Sequence, residues 1–416
     1  MSKKLLFVMT RLPFPPNSGR KVSLYHYCRG LHERYGYDIY IYCFPEWDQS
    51  REVSDKPDFI KEIRFARPVG TMSKAGNLLF RSLVGKNRMP FQCALYYSAA
   101  NCRAIRAMAE EIKPDVIVTD MIRTAPYYRA FADLDCTKIL DLDDLLSRRY
   151  AQQKRAKNKL DAAGHYAGGM PSLLRRLNRG VVGRTVLGAE ERRVRRAELR
   201  YARLYDKTVL VSLPETKRLN EMLGEERAFA VPIGVDAPYF ANAKRQDATG
   251  VCFVGNLHVA ANVASLRLIA NEILPHVKTD VKLRVIGPAP DELRAQYADH
   301  PRVEIVGEVP DLRPAVGASA LALLPVAFGS GIKTKILEAM AMGLPVVTNS
   351  VGAEGIFAEN GEEFFVEDDP CALAARVDAL LADPALCAQV GERAARFTAE
   401  NFDWESIFDR FALLGL

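Results

Sequence analysis

Short apolar runs alternate with stretches of helical spacing along most of the chain. Residues 5–8, 38–44, 63–65, 114–119 and 138–142 read as strands, and the uninterrupted apolar ones suit a parallel sheet buried on both faces. Between them, Leu24, Tyr27, Cys28 and Leu31 predict a helix after a Gly/Pro loop, and residues 104–112 predict another. The stretch 70–100, with Met72, Leu78, Leu79, Phe80, Leu83 and Tyr96, reads as helical cover packed on the core or near an acceptor opening. A second series begins at 251–254 and continues with strands at 283–286, 303–306, 320–325 and 344–348. Helices are expected at 214–223, 333–342, 370–396 and 402–414. Strand–helix alternation of this kind defines an α/β fold of two Rossmann-like halves.

Length and composition add domain boundaries and remove some classes. A chain of 416 residues is longer than one core usually serves. We expect an N-terminal domain over 1–210, a linker region over 211–250 and a C-terminal domain over 251–399, with a terminal helix over 400–416 packing back on the first. Hydrophobic residues make up 49% of the chain, yet no apolar run is long enough to span a bilayer. Residues 5–9 are too short for a signal peptide's apolar segment and read as a buried first strand. The eight cysteines form no C-x-x-C pair, which points to reduced thiols in a cytoplasmic protein. Net charge is +6, concentrated between Arg148 and Lys207. That basic segment fits a solvated helix or a peripheral contact with anionic membrane on the inner face of the plasma membrane. It lacks the interleaved aromatics of a nucleic-acid surface.

Candidate chemistry centres on residues 328–356, FGSGIKTKILEAMAMGLPVVTNSVGAEGI. Gly329 and Gly331 form a permissive loop entering a helix, whose free backbone N–H groups suit an anion. Lys333 and Lys335 stand at the helix start, where the dipole disfavours a cation by roughly 0.3–1 kcal/mol. A bound anion of higher charge, such as a diphosphate, accounts for both. Glu338 follows at a spacing that lets it accept hydrogen bonds from paired sugar hydroxyls. In the first half, Gly19 closes a loop between strand and helix. Asp120 and the group Asp141, Asp143 and Asp144 stand at predicted strand ends, where such folds place ligands. The close carboxylates can supply a general base, cap the next helix or pair with Arg148 and Arg149. Asp141 and Asp143 also form a D-x-D pair, but with Lys333 and a helix end facing the diphosphate, no metal is expected.

The block K-x-x-E-A-M-A-x-G-x-P-V-V resembles the donor motif of family 4 (group 1) retaining glycosyltransferases. Its form GSGIKTKILEAMAMGLPVV is similar to a subgroup tied to bacterial exopolysaccharide and exosortase gene systems. The resemblance implies the GT-B fold, two Rossmann-like domains facing a cleft with a C-terminal helix crossing back. It also implies transfer of a sugar from a UDP- or GDP-sugar to a glycan or lipid-linked acceptor, with the nucleotide sugar as substrate and no cofactor. Carried over by position, Glu338 holds the ribose, while Gly331, Ile332 and Lys333 contact diphosphate and sugar, with Lys335 sharing that charge. Ser330 stands where the family's first glutamate is usual. The segment 231–240 is similar to the family's entry to the donor domain, with Ile233 for an asparagine. The loop before Gly19 resembles the family's N-terminal loop, Asn256 (after Gly255) and Asn262 stand at places comparable to a usual arginine and lysine, and Gly307 ends a strand that by similarity faces the nucleobase. Lys333, Asp120 and Asp143 are the catalytic candidates, although a histidine is usual near the place of Asp120. Two other readings remain open: a nucleotide-sugar epimerase or hydrolase, and a degenerate transferase acting as a glycan- or partner-binding subunit.

Overall fold

The computed structural model describes residues 2–16, 19–44, 56–84, 88–155, 180–241, 248–329 and 331–416. Two compact units divide them. The first runs to Val231 and takes in Phe411–Leu416; the second is Pro232–Arg410.

The first unit is built on a seven-stranded sheet, all of whose pairings are parallel. Its elements are β1 (Lys3–Met9), α1 (Gly19–Glu33), β2 (Tyr37–Cys43), β3 (Ile60–Phe65), α2 (Thr71–Asn77), α3 (Phe91–Tyr96), α4 (Ala99–Ile112), β4 (Val116–Asp120), β5 (Thr137–Asp143), α5 (Leu146–Arg155), α6 (Gly180–Leu204), β6 (Lys207–Leu210), α7 (Leu213–Leu223) and β7 (Ala228–Ala230). The strand order is β3-β2-β1-β4-β5-β6-β7, so the direction of winding reverses between β1 and β4. Leu5, Leu6 and Val8 on β1 are wholly buried. Each such side chain contributes roughly 1.5–3 kcal/mol, which explains an apolar run rather than an alternating one.

Three findings differ from the sequence reading. Residues 213–230, expected within a linker, supply α7 and edge strand β7, because Ala228–Ala230 pairs in parallel register with β6. Of the terminal helix, only Phe411–Leu416 lies in this unit, with the Phe411 ring against Tyr27 at 5.4 Å and the Lys207 ammonium on the Leu413 carbonyl at 2.9 Å. The stretch 70–100 is helical, but α2 buries none of its residues, and Met72, Leu79, Phe80 and Val84 are exposed. The stretch divides: Cys93, Ala94 and Tyr97 join the core with Met89 and Tyr96 packed against it, whereas α2 and the turn after it expose their large apolar groups. Of the basic stretch 148–207, residues 156–179 lie outside the described residues, as does the polar segment 242–247.

The second unit carries a six-stranded sheet with the same winding. It comprises β8 (Val251–Val254), α8 (Ala260–Leu268), β9 (Leu283–Ile286), β10 (Val303–Gly307), β11 (Leu321–Leu323), α9 (Thr334–Ala341), β12 (Val346–Thr348), β13 (Phe365–Val366), α10 (Pro370–Ala382), α11 (Pro384–Phe402) and α12 (Trp404–Asp409). The order β10-β9-β8-β11-β12-β13 is again parallel throughout and reverses between β8 and β11. Open sheets of this type bind ligands at the carboxyl ends of the strands beside such a reversal. Both candidate centres lie there.

Candidate functional site

In the second unit the loop before α9 is fastened from two sides. Asn349, just past β12, accepts from the Val326 and Gly352 amides at 2.9 and 3.0 Å and donates to the Val326 carbonyl at 3.0 Å. The Ser265 hydroxyl of α8 accepts from the Ala327 amide at 3.1 Å. Gly331 has φ 74°, a left-handed conformation that favours glycine. The chain then enters α9 with Lys333 as the N-cap residue, offering no side-chain cap to the helix amides. Its ammonium folds back on the Gly331 carbonyl.

Lys335, in the first turn, reaches toward β8. Its ammonium donates to Asn262 Oδ1 at 3.0 Å and sits 4.5 Å from the centre of the Phe253 ring. Burial first, then the Lys333 charge, brings its pKa down to about 8, with Glu338 opposing. Asn262 in turn donates to the Asn256 carbonyl at 2.9 Å and lies so close to Gly255 that a Cβ there would collide with it. Asn262 is therefore the joint between the β8 exit and the α9 lysine. Glu338 lies on the second turn of α9 with a side-chain hydrogen bond from Thr334. Burial raises its carboxyl pKa, while Thr334 and Lys335 oppose that rise. Gly255 and Gly307 end β8 and β10 and are linked through β9: the Gly255 amide donates to Ile286 at 3.0 Å, and the Gly287 amide donates to Gly307 at 2.8 Å. Asn256 is exposed and turns back to accept from the His258 amide at 2.9 Å. Gly255, Asn256, Gly331, Ile332, Lys333, Lys335 and Glu338 thus belong to one sheet edge and the helix beside it, with Gly307 further along. Ser330 lies outside the described residues.

The first unit's centre is organised by a residue the sequence reading passed over. Arg20, at the start of α1, is almost wholly buried. Its guanidinium donates to Asp120 Oδ1 at 2.7 and 3.1 Å, to Asp141 Oδ2 at 2.6 Å and to Asp143 Oδ1 at 3.1 Å. Arg20 thus stands among the three carboxylates, and the D-x-D pair of Asp141 and Asp143 is engaged with its guanidinium. Like Lys333, it is a cation at a helix start, and the same dipole argument would have singled it out.

The carboxylates are not equivalent. Burial pushes Asp120 up, but the Arg20 charge and hydrogen bonds, with Arg11 and Arg123, hold it below the usual range. It also accepts from the Thr10 hydroxyl at 3.3 Å. Asp120, expected as a catalytic residue, holds Arg20 here and has no exposed surface. Asp141 is raised by burial against the pull of Arg20, and it accepts from the Asp143 amide at 3.0 Å. Asp143 follows a register shift between β5 and β6 and takes φ 65°, which turns its side chain outward to 23% exposure. Burial and the neighbouring carboxylates push it up to about 6, against Arg20. The expected pairings with Arg148 and Arg149 are divided differently: Arg149 holds Asp144, and Arg148 meets Glu215 at 3.3 Å. Gly19 opens α1 with room for a Cβ, and the two residues before it lie outside the described ones.

Residues 248–383 match the family model described as glycosyl transferases group 1. The chain is 27% identical over 169 residues to an uncharacterized 44.6 kDa protein in the cps region of Klebsiella pneumoniae, covering 38% of this chain and 44% of that one. It spans about half the length of the curated relatives it matches. Among solved structures, a sucrose-phosphate synthase from Thermosynechococcus elongatus superposes with TM-score 0.66 and 14% identity, covering 99% of this chain and 98% of that one. The Anabaena protein Alr3699/HepE in complex with UDP gives 0.64 and 16%, covering 99% and 100%. The likeness defines a GT-B fold of two Rossmann-like domains. The part of the chain similar to the group 1 family, residues 248–383, lies within the second unit.

Proposed function

We propose that the protein is a retaining glycosyltransferase that moves a sugar from a nucleoside-diphosphate sugar to a glycan or lipid-linked acceptor in exopolysaccharide or cell-surface polysaccharide synthesis. The observation that carries this reading is the half-buried Lys335 ammonium beside a helix start. Its hydrogen-bond partner is a neutral amide and its other neighbour an aromatic face, while Glu338 offsets only part of the burial cost. A diphosphate would supply the missing charge. The group 1 domain match and the UDP held by a protein of like fold support the donor class. Likeness to a protein of a cps region supports the polysaccharide role.

In this reading the cost of reaction lies in the negative charge that grows on the leaving diphosphate. Lys333, Lys335 and the amides after Gly331 stabilise that charge because they are in place beforehand. Glu338 receives the ribose hydroxyls. In the first unit Asp143 faces the acceptor, and Arg20 sets its orientation. The transfer needs neither a metal nor a protein nucleophile.

NMR of products from a panel of UDP- and GDP-sugars, with and without oligosaccharide or lipid-linked acceptors, tests the reading. Acceptor-dependent formation of a glycoside with the donor's anomeric configuration is the expected result. Sugar release or epimerisation without acceptor would replace it with the epimerase or hydrolase reading. Absence of binding to every nucleotide sugar would replace it with a partner-binding subunit.

A further inference from the structure

From Ile63 to Ala109 the chain contains no Asp or Glu, but eight Lys or Arg, among them Lys74, Arg81 and Arg88. Within this acid-free stretch lies α2, none of whose residues is buried, followed directly by a wider helical turn, Leu78–Val84. Met72 is 90% exposed, Phe80 67% and Val84 70%, and Leu79 is also exposed. Met72, Leu79 and Phe80 recur at seven- and eight-residue spacing, which places them on one side of the helical segment. A helical segment whose main neighbours are its own continuation and α3, and which presents its largest apolar groups to water, leaves an apolar surface uncovered. The segment is nevertheless anchored at its base. The Arg81 guanidinium lies over the Tyr97 ring at 4.4 Å and donates to Asn77 Oδ1 at 3.0 Å, and Asn77 donates to the Tyr97 carbonyl at 2.8 Å. The Ser82 hydroxyl is bonded to the Met89 carbonyl at 2.7 Å.

We propose that α2 and the turn after it form an interfacial membrane contact, seating Met72, Leu79, Phe80 and Val84 among the acyl chains of a bilayer rich in anionic lipid. Arg64 and Arg106 of this stretch pair with carboxylates outside it, but Lys74, Arg81 and Arg88 flank separate protruding apolar side chains in a sequence without acids, which matches a surface that is apolar beneath and negative above. A protein groove would call for a compact apolar ridge, and a nucleic acid would not reward Met72 or Val84. This contact differs from the basic 148–207 segment and does not rest on the transferase reading, since lipid binding is measured without any sugar donor.

The test is flotation of the full chain with vesicles of phosphatidylcholine alone and of phosphatidylcholine with phosphatidylglycerol. The wild type is expected to float with the mixed vesicles, and added salt should weaken the interaction. Met72→Ser with Phe80→Ser should lower the affinity by at least tenfold. Lys74→Gln and Arg88→Gln should each lower it about fivefold. All four side chains lie outside both candidate centres, so nucleotide binding and the melting temperature should be unchanged. As a second readout, Phe80→Trp should gain fluorescence on mixed vesicles and be quenched by brominated acyl chains. The proposal is overturned if the wild type floats with neither vesicle, if it floats equally without anionic lipid, or if the double variant binds as well as wild type. It is also overturned if Met72 and Phe80 are found to bury a dimer contact or an acidic protein partner instead.

Discussion

Replacing Arg20 by methionine would leave Asp120, Asp141 and Asp143 around a neutral side chain of similar length. Asp120 and Asp141 have almost no contact with water, so neither can recover its hydration without movement of β4 or β5. Breaking a buried ion network by removing one partner typically costs about 3–5 kcal/mol, and here one cation serves three carboxylates. For a unit of this size that corresponds to a fall of roughly 10 °C in its melting temperature. The loss should depend on pH. Without Arg20 the carboxyls take up protons in the folded state at pH values where the unfolded chain has released them, so stability falls as pH rises. Thermal melts of wild type and Arg20→Met at pH 5 and pH 8 should show the larger gap at pH 8. Adding Asp141→Asn should restore part of it. A variant that melts within a degree or two of wild type at pH 8 would refute the idea that Arg20 organises this centre.

Lys335, brought down to about 8, should make nucleoside-diphosphate affinity flat below that pH and falling above it, because the bound anion favours the protonated amine. Asn262→Asp should move that limb upward in pH, and calorimetry across pH 7–10 would show an unshifted limb if the contact is idle. Gly331→Ala, forced to adopt φ 74° with a Cβ, should weaken nucleotide binding about tenfold while leaving the second unit's melt nearly intact; unchanged affinity would remove the loop from the site. Glu198 is buried, pushed up to about 7, and accepts from the Ser147 amide at 3.0 Å. A folded pKa above the unfolded one means that stability contributed at low pH is lost as pH rises through about 4.5 to 7, on the order of 3 kcal/mol. Glu198→Gln should therefore stabilise the first unit at pH 8 and flatten its pH dependence, as read from urea melts.

Much of the fold was legible because parallel strands buried on both faces leave an unambiguous mark, as at Leu5–Val8 and Val251–Val254. The glycine loop and lysines before Glu338 were legible because a cation at a helix start conflicts with local physics. Contacts between residues distant in sequence were harder to find. The helix start marks Arg20 as a cation in want of an anion but does not say that carboxylates 100 and more residues away supply it, and the amide that holds Lys335 belongs to Asn262 on another helix. The bulge that turns Asp143 outward depends on how β6 pairs with β5, which apolar content does not encode. Across 70–100 the apolar spacing predicts helix, and the part around Cys93–Tyr97 joins the core while Met72, Leu79 and Phe80 do not, since composition alone does not distinguish a face turned inward from one turned to water.

The central claim is that Lys333 and Lys335, with the amides after Gly331, grip a diphosphate. Titration calorimetry with UDP and GDP on wild type and Lys333→Ala tests it most directly. The account predicts binding of at least one nucleotide by wild type, and affinity about ten- to a hundredfold lower in a variant that still melts at the wild-type temperature. Equal affinity in the two proteins would contradict it.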